Sequence, residues 1–407
     1  MSSAAMTGKS DRLDVAIVHR YFWPQNYPYA MMLRYIAEGM AERGLSVAVY
    51  SSHEPNSQQK EQRRKWSVKT GIFVKSLPLW SERSFKVWQK AVQALFYALW
   101  VFTVALRCRA RVMWVGTTPP LLMVSVLRFA RLFRRFKIVY HCQDIHPEAL
   151  AINGNIGRGK VLRALKKLDS GNVRAADAVV TLSEDMKKTL SERPCNTSNV
   201  CIINNFILED VQEREDLVGE NPAPKLLFSG SLGRFQNLEF LTQVVIRLAG
   251  DYGVKTTFMG DGPMRREMEE QVQRAGLESY VLFTGHRPLD EAIDSMQSSD
   301  FGLVSLAEGV DRVAYPSKTV MYLAAGLPCI AFVDPQSSLG KMIQDEKLGV
   351  AVAPVSVEYV VNVLGDFLHR QDLEVRSKSD ISDFARTHFS REVVVKEMTD
   401  LVAGMVT

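Results

Sequence analysis

The stretch "VAYPSKTVMYLAAGLPCIAF", residues 313–332, decides the fold class. Pro316 opens a short apolar run at helical spacing, Gly326 with Pro328 closes it, and "CIAF" follows at once. Helix, stop and strand within twenty residues form one arm of a parallel α/β unit. Ser317 and Lys318 place a hydroxyl and an ammonium at the helix start. There, free backbone N–H groups and the helix dipole favour an anion. A plain strand–helix connector is the simpler reading of the same residues. Met321 stands within this helix at a position where an acid would be expected.

The same rhythm runs outward in both directions. "LDVAIV", "LSVAVYS", "GIFVKSLP", "RVMWVG", "FKIVYH", "DAVVTL" and "NVCIINN" are the candidate strands of the first half. "KLLFSGSLG", "VKTTFMGDG", "YVLFTG", "DFGLVSL", "PCIAFV" and "LGVAVA" are those of the second, with amphipathic helices between them. The polar stretch 208–225 reads as a linker. Two doubly wound α/β domains follow, with ligands expected at the carboxyl ends of the strands. The expected boundaries are 1–207, 208–385 and a terminal helix over 386–407 that can pack back on the first domain.

Composition narrows the classes. The 407 residues are 46% hydrophobic and 23% charged, with a net charge of +5, as in a soluble globular chain of two cores. Cysteines 108, 142, 195, 201 and 329 form neither CxxC pairs nor a disulfide framework, and no signal-peptide core precedes the first strand. A reducing, cytoplasmic setting is the expectation.

Charge is unevenly spread. From Arg83 to Gln143 there are eleven Lys or Arg residues and no acid. Within this span, 91–106 is almost wholly apolar but reaches only about 24 Å as a helix, against a hydrocarbon core of roughly 30 Å. In "RFARLFRRFK" (128–137), Arg128, Arg131, Arg134 and Arg135 are expected near one helical face. The segment 85–137 therefore suits an anionic membrane surface. A buried helix beside a solvated basic one is the alternative. No nucleic-acid motif accompanies the charge, so nucleic acid is not an expected partner.

Several turns invite an anion. In "KLLFSGSLGRFQNLEFL" Gly230 and Gly233 allow close backbone approach, and Arg234 offers a charged fork suited to a diphosphate. In "FMGDGPMRREMEE" Gly260 and Gly262 do the same, with Asp261 as a helix cap. Gly285 and His286 follow the next strand and can line a base. Together with Pro316, Ser317 and Lys318, these turns favour a nucleotide diphosphate. In the first half "YHCQDIHPEAL" gathers His141, Asp144, His146 and Glu148 at a strand end. The two histidines do not have zinc-helix spacing, so no metal is expected. An acid–base or orienting role for Asp144 and His141 fits better, although Asp144 also fits a helix cap. The loop after the first strand, "HRYFWPQNYPYA", lacks GxGxxG, which argues against a nicotinamide dinucleotide.

These stretches together resemble bacterial glycosyltransferase family 4, with its two-domain GT-B fold. The resemblance is carried by "YFWPQNYPYAMMLRYIAEGMAERGLSVAVYS", "CQDIHPEAL", "DAVVTLSEDM", "VCIINNF", "FSGSLGRFQNLEFL", "GDGP", "FTGH" and "YPSKTVMYLAAGLP". It implies retaining transfer from a nucleotide-sugar, a UDP-sugar before a GDP-sugar, with the second domain holding the donor. The implied acceptor is a polyprenyl-linked glycan at the inner face of the membrane, in cell-surface polysaccharide synthesis. No cofactor is implied, because the nucleotide-sugar is a substrate. A basic residue a few positions beyond the first glycine turn is Gln236 here, which leaves Arg234 as the replacement. Asn26 and Tyr27 occupy the loop that relatives use near the donor phosphate. The family's two acids, with seven residues between them, align with Val313 and Met321; Glu308 or Asp311 in "AEGVDR" is a candidate relocated carboxylate. An epimerase of the same fold, or an inactive sugar-nucleotide-binding subunit, is the alternative that these losses leave open.

Overall fold

The computed structural model describes residues 13–25, 27–53, 56–79, 87–154, 157, 159–193, 196–211, 224–369 and 374–406. Seven strands build the first sheet: β1 (Val15–Val18), β2 (Val47–His53), β3 (Phe73–Leu79), β4 (Val112–Gly116), β5 (Lys137–His141), β6 (Ala178–Thr181) and β7 (Val200–Ile202). Six build the second: β8 (Lys225–Ser229), β9 (Lys255–Met259), β10 (Val281–Gly285), β11 (Phe301–Ser305), β12 (Cys329–Phe332) and β13 (Gly349–Val352). All pairs are parallel, in the orders 3-2-1-4-5-6-7 and 10-9-8-11-12-13. Strands such as β1 and β4 are buried along their whole length because helices cover both faces. That is why they read as unbroken apolar runs rather than as alternating ones.

In each sheet the order reverses beside the first strand. A crevice therefore opens at the carboxyl ends of β1 and β4, and another at those of β8 and β11. The C-terminal helices divide between the two domains. Ile381, Ala385 and Phe389 of helix Lys378–Phe389 belong to the second core, so this helix runs past the expected boundary at 386. Helix Arg391–Val406 crosses back, burying Val394, Val395, Met398 and Val402 in the first core. It packs against helix Pro28–Glu42 at Gly39, where a methyl group would fall 2.3 Å from Val395 Cγ1.

The domains meet along a defined seam. Ile145 N donates to Val313 O at 2.7 Å, and Asp144 pairs with Ala314 in an antiparallel bridge. Asp185 Oδ2 accepts Ser338 N at 2.6 Å, while Asp185 N donates to Ser338 Oγ at 3.2 Å. Arg312 pairs with Glu192. Ile152, Phe235 and Tyr315 pack against both cores.

The basic stretch 128–137 departs from expectation. Helix Leu122–Ala130 stops at Ala130, because the chain must turn to enter β5, so its arginines share no helical face. Arg131 donates to Ala175 O and pairs with Asp177, and Arg134 donates to Ala105 O at 3.1 Å. What the neighbourhood exposes is mainly apolar. Val92, Leu95, Phe96 and Leu99 form a solvent-facing stripe on helix Val87–Arg107, and Phe129, Leu132 and Phe133 lie 55–75% exposed. Phe102 joins Phe129 and Phe133 in one aromatic cluster. No described helix is long and apolar enough to cross a membrane.

Candidate functional site

Three glycine turns at the carboxyl edge of the second sheet stack on one another. Gly230 N donates to Met259 O at 2.8 Å, Gly260 N to Gly285 O at 2.9 Å, and Leu232 N to Asp261 O at 2.9 Å. Sheet-like hydrogen bonding thus continues past the strand ends. Gly260 has φ +145°, and a methyl there would lie 1.9 Å from Gly230 O; one on Gly262 would lie 2.3 Å from Leu232 O. Close approach of backbone to backbone is what these two glycines permit, where the sequence suggested backbone to ligand. Asp261 accepts its neighbour Gly262 N at 2.8 Å, and helix Arg265–Ala275 starts from Met264, so Asp261 caps the turn rather than the helix. Gly260→Ala is expected to lower the unfolding free energy of the second domain by at least roughly 1–3 kcal/mol. Urea unfolding of the variant checks this; an unchanged midpoint would show that the turns can part without cost.

Lys318 lies beneath this stack. Its Nζ is buried, 3.3 Å above the centre of the Phe228 ring, without a hydrogen-bond partner among the described residues. A methyl on Gly230 would meet Lys318 Cε and Nζ at 3.3 Å, so the ammonium sits directly under the first turn. Burial pulls its pKa down to about 7. The ring face offsets part of that cost through its quadrupole. Gln236 Oε1 is likewise buried and unpartnered beside Gly233. Buried polar atoms are nearly always paired in folded chains, so these point to a missing partner that brings charge and hydrogen-bonding groups. Helix Lys318–Ala324 has only seven residues, and Ser317 is exposed and makes no cap. The Lys318 charge therefore outweighs the helix dipole as an attraction for anions. Tyr322 of this helix accepts Ser229 N at 2.6 Å and fixes the end of β8.

The remaining second-domain candidates scatter around this point. Arg234 is exposed on the short turn Arg234–Gln236 and reaches across the seam toward Asn153 O at 3.4 Å. Gly285 accepts the Gly260 N–H, and His286 beside it is exposed. Pro316 lies half-buried between Ala314 and the helix. Glu308 is exposed. Asp311 is half-buried at the domain seam, where burial and then the charges of Asp185 and Asp334 raise its pKa. Val313 is only 2% exposed and packs into the first-domain core, so an acid there would be stranded in an apolar contact. Met321 is partly buried against the second core.

In the first domain His141 is fully buried. Gln143 Nε2 contacts His141 Nε2 at 2.7 Å and Asn205 Oδ1 at 3.1 Å, so the amide nitrogen faces the ring. His141 Nε2 therefore accepts, and its Nδ1–H donates to Tyr29 Oη at 2.9 Å. Burial, with His19 nearby, lowers its pKa to about 3. Both nitrogens are engaged and the ring stays neutral, which removes His141 as a base toward an acceptor hydroxyl and makes it a support for the loop.

Asp144 differs. Its carboxylate has no hydrogen bond or ion pair among the described residues, and burial raises its pKa to about 6. It does not cap helix Glu148–Ile152, which starts from Pro147 without a side-chain cap. Tyr27 stacks on Tyr21 at 4.7 Å and precedes helix Pro28–Glu42, 43% exposed; Asn26 lies outside the described residues. No cluster of metal-ligating side chains occurs among the described residues. Sequence reasoning passed over Arg193, which is buried and holds the His146 carbonyl at 3.2 Å and the Glu148 carboxylate, fixing the loop that carries Asp144. Its spacing from partners 24 and 45 residues away left no local signal.

Comparison with known proteins matches this geometry. Residues 29–205 fit the model of a glycosyl transferase 4-like domain, and residues 223–369 that of glycosyl transferases group 1. A probable glycosyltransferase, WbjE, of Pseudomonas aeruginosa is 27% identical over 275 residues, covering 63% of this chain and 66% of its own. An alpha-monoglucosyldiacylglycerol synthase of Streptococcus pneumoniae is 25% identical over 48% of this chain and 46% of its own. The chain thus spans less than two thirds of the length of these two relatives. Among solved structures, Anabaena HepE in complex with UDP and glucose superposes with a TM-score of 0.69 at 14% identity, over 97% of this chain and 100% of its own. Sucrose-phosphate synthase of Thermosynechococcus elongatus gives 0.73 at 15%, over 97% and 99%. WaaG, a glycosyltransferase of lipopolysaccharide biosynthesis, gives 0.66 at 17%, over 96% and 100%. With a 4-like domain on one side of the cleft and a group 1 domain on the other, the chain belongs to the family 4-type glycosyltransferases and has their GT-B fold.

Proposed function

We propose that the protein transfers a sugar, with retention at the anomeric carbon, from a UDP-sugar to a lipid-linked glycan acceptor in cell-surface polysaccharide synthesis. The observation that carries the donor half is the buried, unpartnered Lys318 ammonium under the stacked glycine turns. A diphosphate seated there supplies the missing partner. As the bond from the anomeric carbon to the β-phosphate oxygen breaks, negative charge grows on that oxygen, and a preplaced cation in a dry site stabilises it. The acceptor oxygen takes the vacated position on carbon and its proton is released. Arg234, on the first turn, can swing from Asn153 O to the phosphates as a second cation. Retention and the acceptor class rest on the family resemblance, and UDP on the HepE complexes. Incubation with isotopically labelled UDP-sugars and membrane extracts tests the reading. Transfer to a lipid-extractable product supports it, and binding without transfer would overturn it in favour of a sugar-nucleotide-binding subunit.

The acceptor half draws on the apolar face of the first domain. Phe96, Leu99, Phe129, Leu132 and Phe133 are more exposed than a soluble surface needs, and Arg128 and Arg135 beside them remain exposed. A peripheral position on the anionic inner face of the cell membrane accounts for both features. An epimerase, acting on a soluble nucleotide-sugar, has no use for such a face. Because Arg131 and Arg134 are committed to internal carbonyls, apolar insertion outweighs charge. The protein is expected to sediment with phosphatidylglycerol vesicles, with salt weakening but not abolishing binding. Replacing Phe96 and Phe133 together by Ser is expected to reduce partitioning at least about tenfold. Equal sedimentation of the double variant would remove the membrane from the reading.

A further inference from the structure

Asp144 belongs to the first domain by sequence but is held by the second. Its bridge to Ala314 and the Ile145 N bond to Val313 O make a short antiparallel pair across the seam. Directly opposed residues in such a pair place their side chains on one face. Asp144 therefore shares a face with Ala314, while Val313 and Ile145 are buried in the first core. The neighbours of Asp144 are committed: Gln143 to His141 and Asn205, and Cys142 Sγ to the Asp144 carbonyl. The Asp144 carboxylate is left without a partner among the described residues, as is the buried Nδ1 of His146 two residues on. From Ala314 the chain reaches Lys318 in four residues, at most about 14 Å when extended. One short segment thus runs from Ala314, which is bridged to Asp144, to the Lys318 ammonium, and both charged groups lack a hydrogen-bond partner among the described residues.

Such a pair sorts a sugar diphosphate by chemistry. The ammonium attracts the phosphates, and the carboxylate repels them. What a half-buried carboxylate accepts is hydroxyl hydrogens, and in a nucleotide-sugar those next to the diphosphate belong to the hexose. Building on the donor reading above, we propose that Asp144, carried into the donor site by its bridge to Ala314, accepts hydrogen bonds from hydroxyls of the donor sugar and sets which sugar is taken. Its role is then donor specificity rather than deprotonation of the acceptor. Closing the seam and gripping the sugar become one event, because the residue is in place only when the two domains are paired.

The test compares Asp144→Asn and Asp144→Glu with the parent chain. Binding of UDP, UDP-glucose, UDP-galactose and UDP-N-acetylglucosamine is measured by calorimetry, with melting curves to confirm folding. Asp144→Asn should bind UDP as the parent does, but bind the preferred UDP-sugar roughly 10- to 100-fold more weakly. Asp144→Glu, which moves the charge by one methylene, should change the order of preference among the three sugars. Parent-like sugar-nucleotide binding in Asp144→Asn, with turnover alone reduced, would overturn the inference and return Asp144 to the acceptor. An equal loss for UDP and UDP-sugars would also overturn it, as a merely structural effect. A parent chain that binds none of the four would overturn the donor reading itself, and this inference with it.

Discussion

Lys318→Met is expected to reduce turnover by about 10²–10³-fold while leaving the protein as stable as the parent or more so. The two halves of this outcome have one cause. The ammonium is buried without a hydrogen-bond partner among the described residues, and the Phe228 ring offsets part of its desolvation. Met fills nearly the same volume without that cost. In the proposed transfer the same ammonium faces the charge growing on the leaving diphosphate, and Met offers nothing there. A stabilised but inactive variant separates this role from a structural one, which would lose both. Turnover and thermal melting on one preparation decide the matter; parent-like turnover would remove Lys318 from the site.

The pH dependence follows from the pKa of about 7, against an ordinary value of 10.5. Between these values the unfolded chain holds a proton that the folded chain lacks. Stability therefore rises with pH across this window, and the rise should vanish in Lys318→Met. A bound diphosphate restores the charged form, so binding takes up a proton, and affinity should fall as pH rises above about 7. Calorimetry in buffers of different ionisation enthalpy measures that uptake directly. No proton uptake in the parent would show that Lys318 is already charged before the ligand arrives.

The strands were legible because parallel sheets covered on both faces leave a plain mark. "VAIV", "VMWV" and "CIAF" are apolar throughout, and turns rich in Gly or Asn end many of the runs. The site was less legible, since its partners come from far apart in the chain. Gly260 announced a close approach but not its target, which is the Gly230 carbonyl thirty residues earlier. His141 looked like a cleft-facing base until Tyr29 and Gln143 were seen to take both nitrogens. Arg128 to Arg135 had helical spacing, yet the helix ends at Ala130 and the guanidinium groups of Arg131 and Arg134 cap carbonyls. The Asp144–Ala314 bridge joins residues of different domains, and no local pattern encodes it. Val313 makes sense only with that bridge: as an acid it would break the contact, and as Val it closes the seam.

Arg193→Leu is expected to destabilise the first domain by about 3–5 kcal/mol, because it leaves the buried Asp169 without its counter-charge, while Glu148 keeps Lys166. Arg193 is 8% exposed and meets Asp169 Oδ2 and Glu148 Oε2 at 2.5 Å each, besides the His146 carbonyl. Asp169 is 1% exposed, and its Oδ1 has no partner among the described residues. Burial raises the Asp169 pKa to about 6 even though Arg193 pulls it down, so without Arg193 it must rise further. A carboxyl whose folded pKa exceeds its ordinary 3.8 favours the folded state at low pH and loses that contribution as pH rises through about 6. The penalty for Arg193→Leu should accordingly be larger at pH 8 than at pH 5, where Asp169 takes a proton and its burial costs less. Urea unfolding at both pH values reads the difference. A penalty independent of pH would mean that only packing was lost. Arg193→Lys should recover little, since a single ammonium cannot fork between two carboxylates and a carbonyl. Adding Asp169→Asn to Arg193→Leu should recover part of the loss, by removing the charge left stranded. The functional consequence runs through the same atoms. Arg193 holds the backbone at His146 and the side chain of Glu148, which anchors the loop presenting Asp144 to Ala314. In preparations of Arg193→Leu that remain folded, UDP binding at Lys318 should therefore persist while discrimination among sugars weakens.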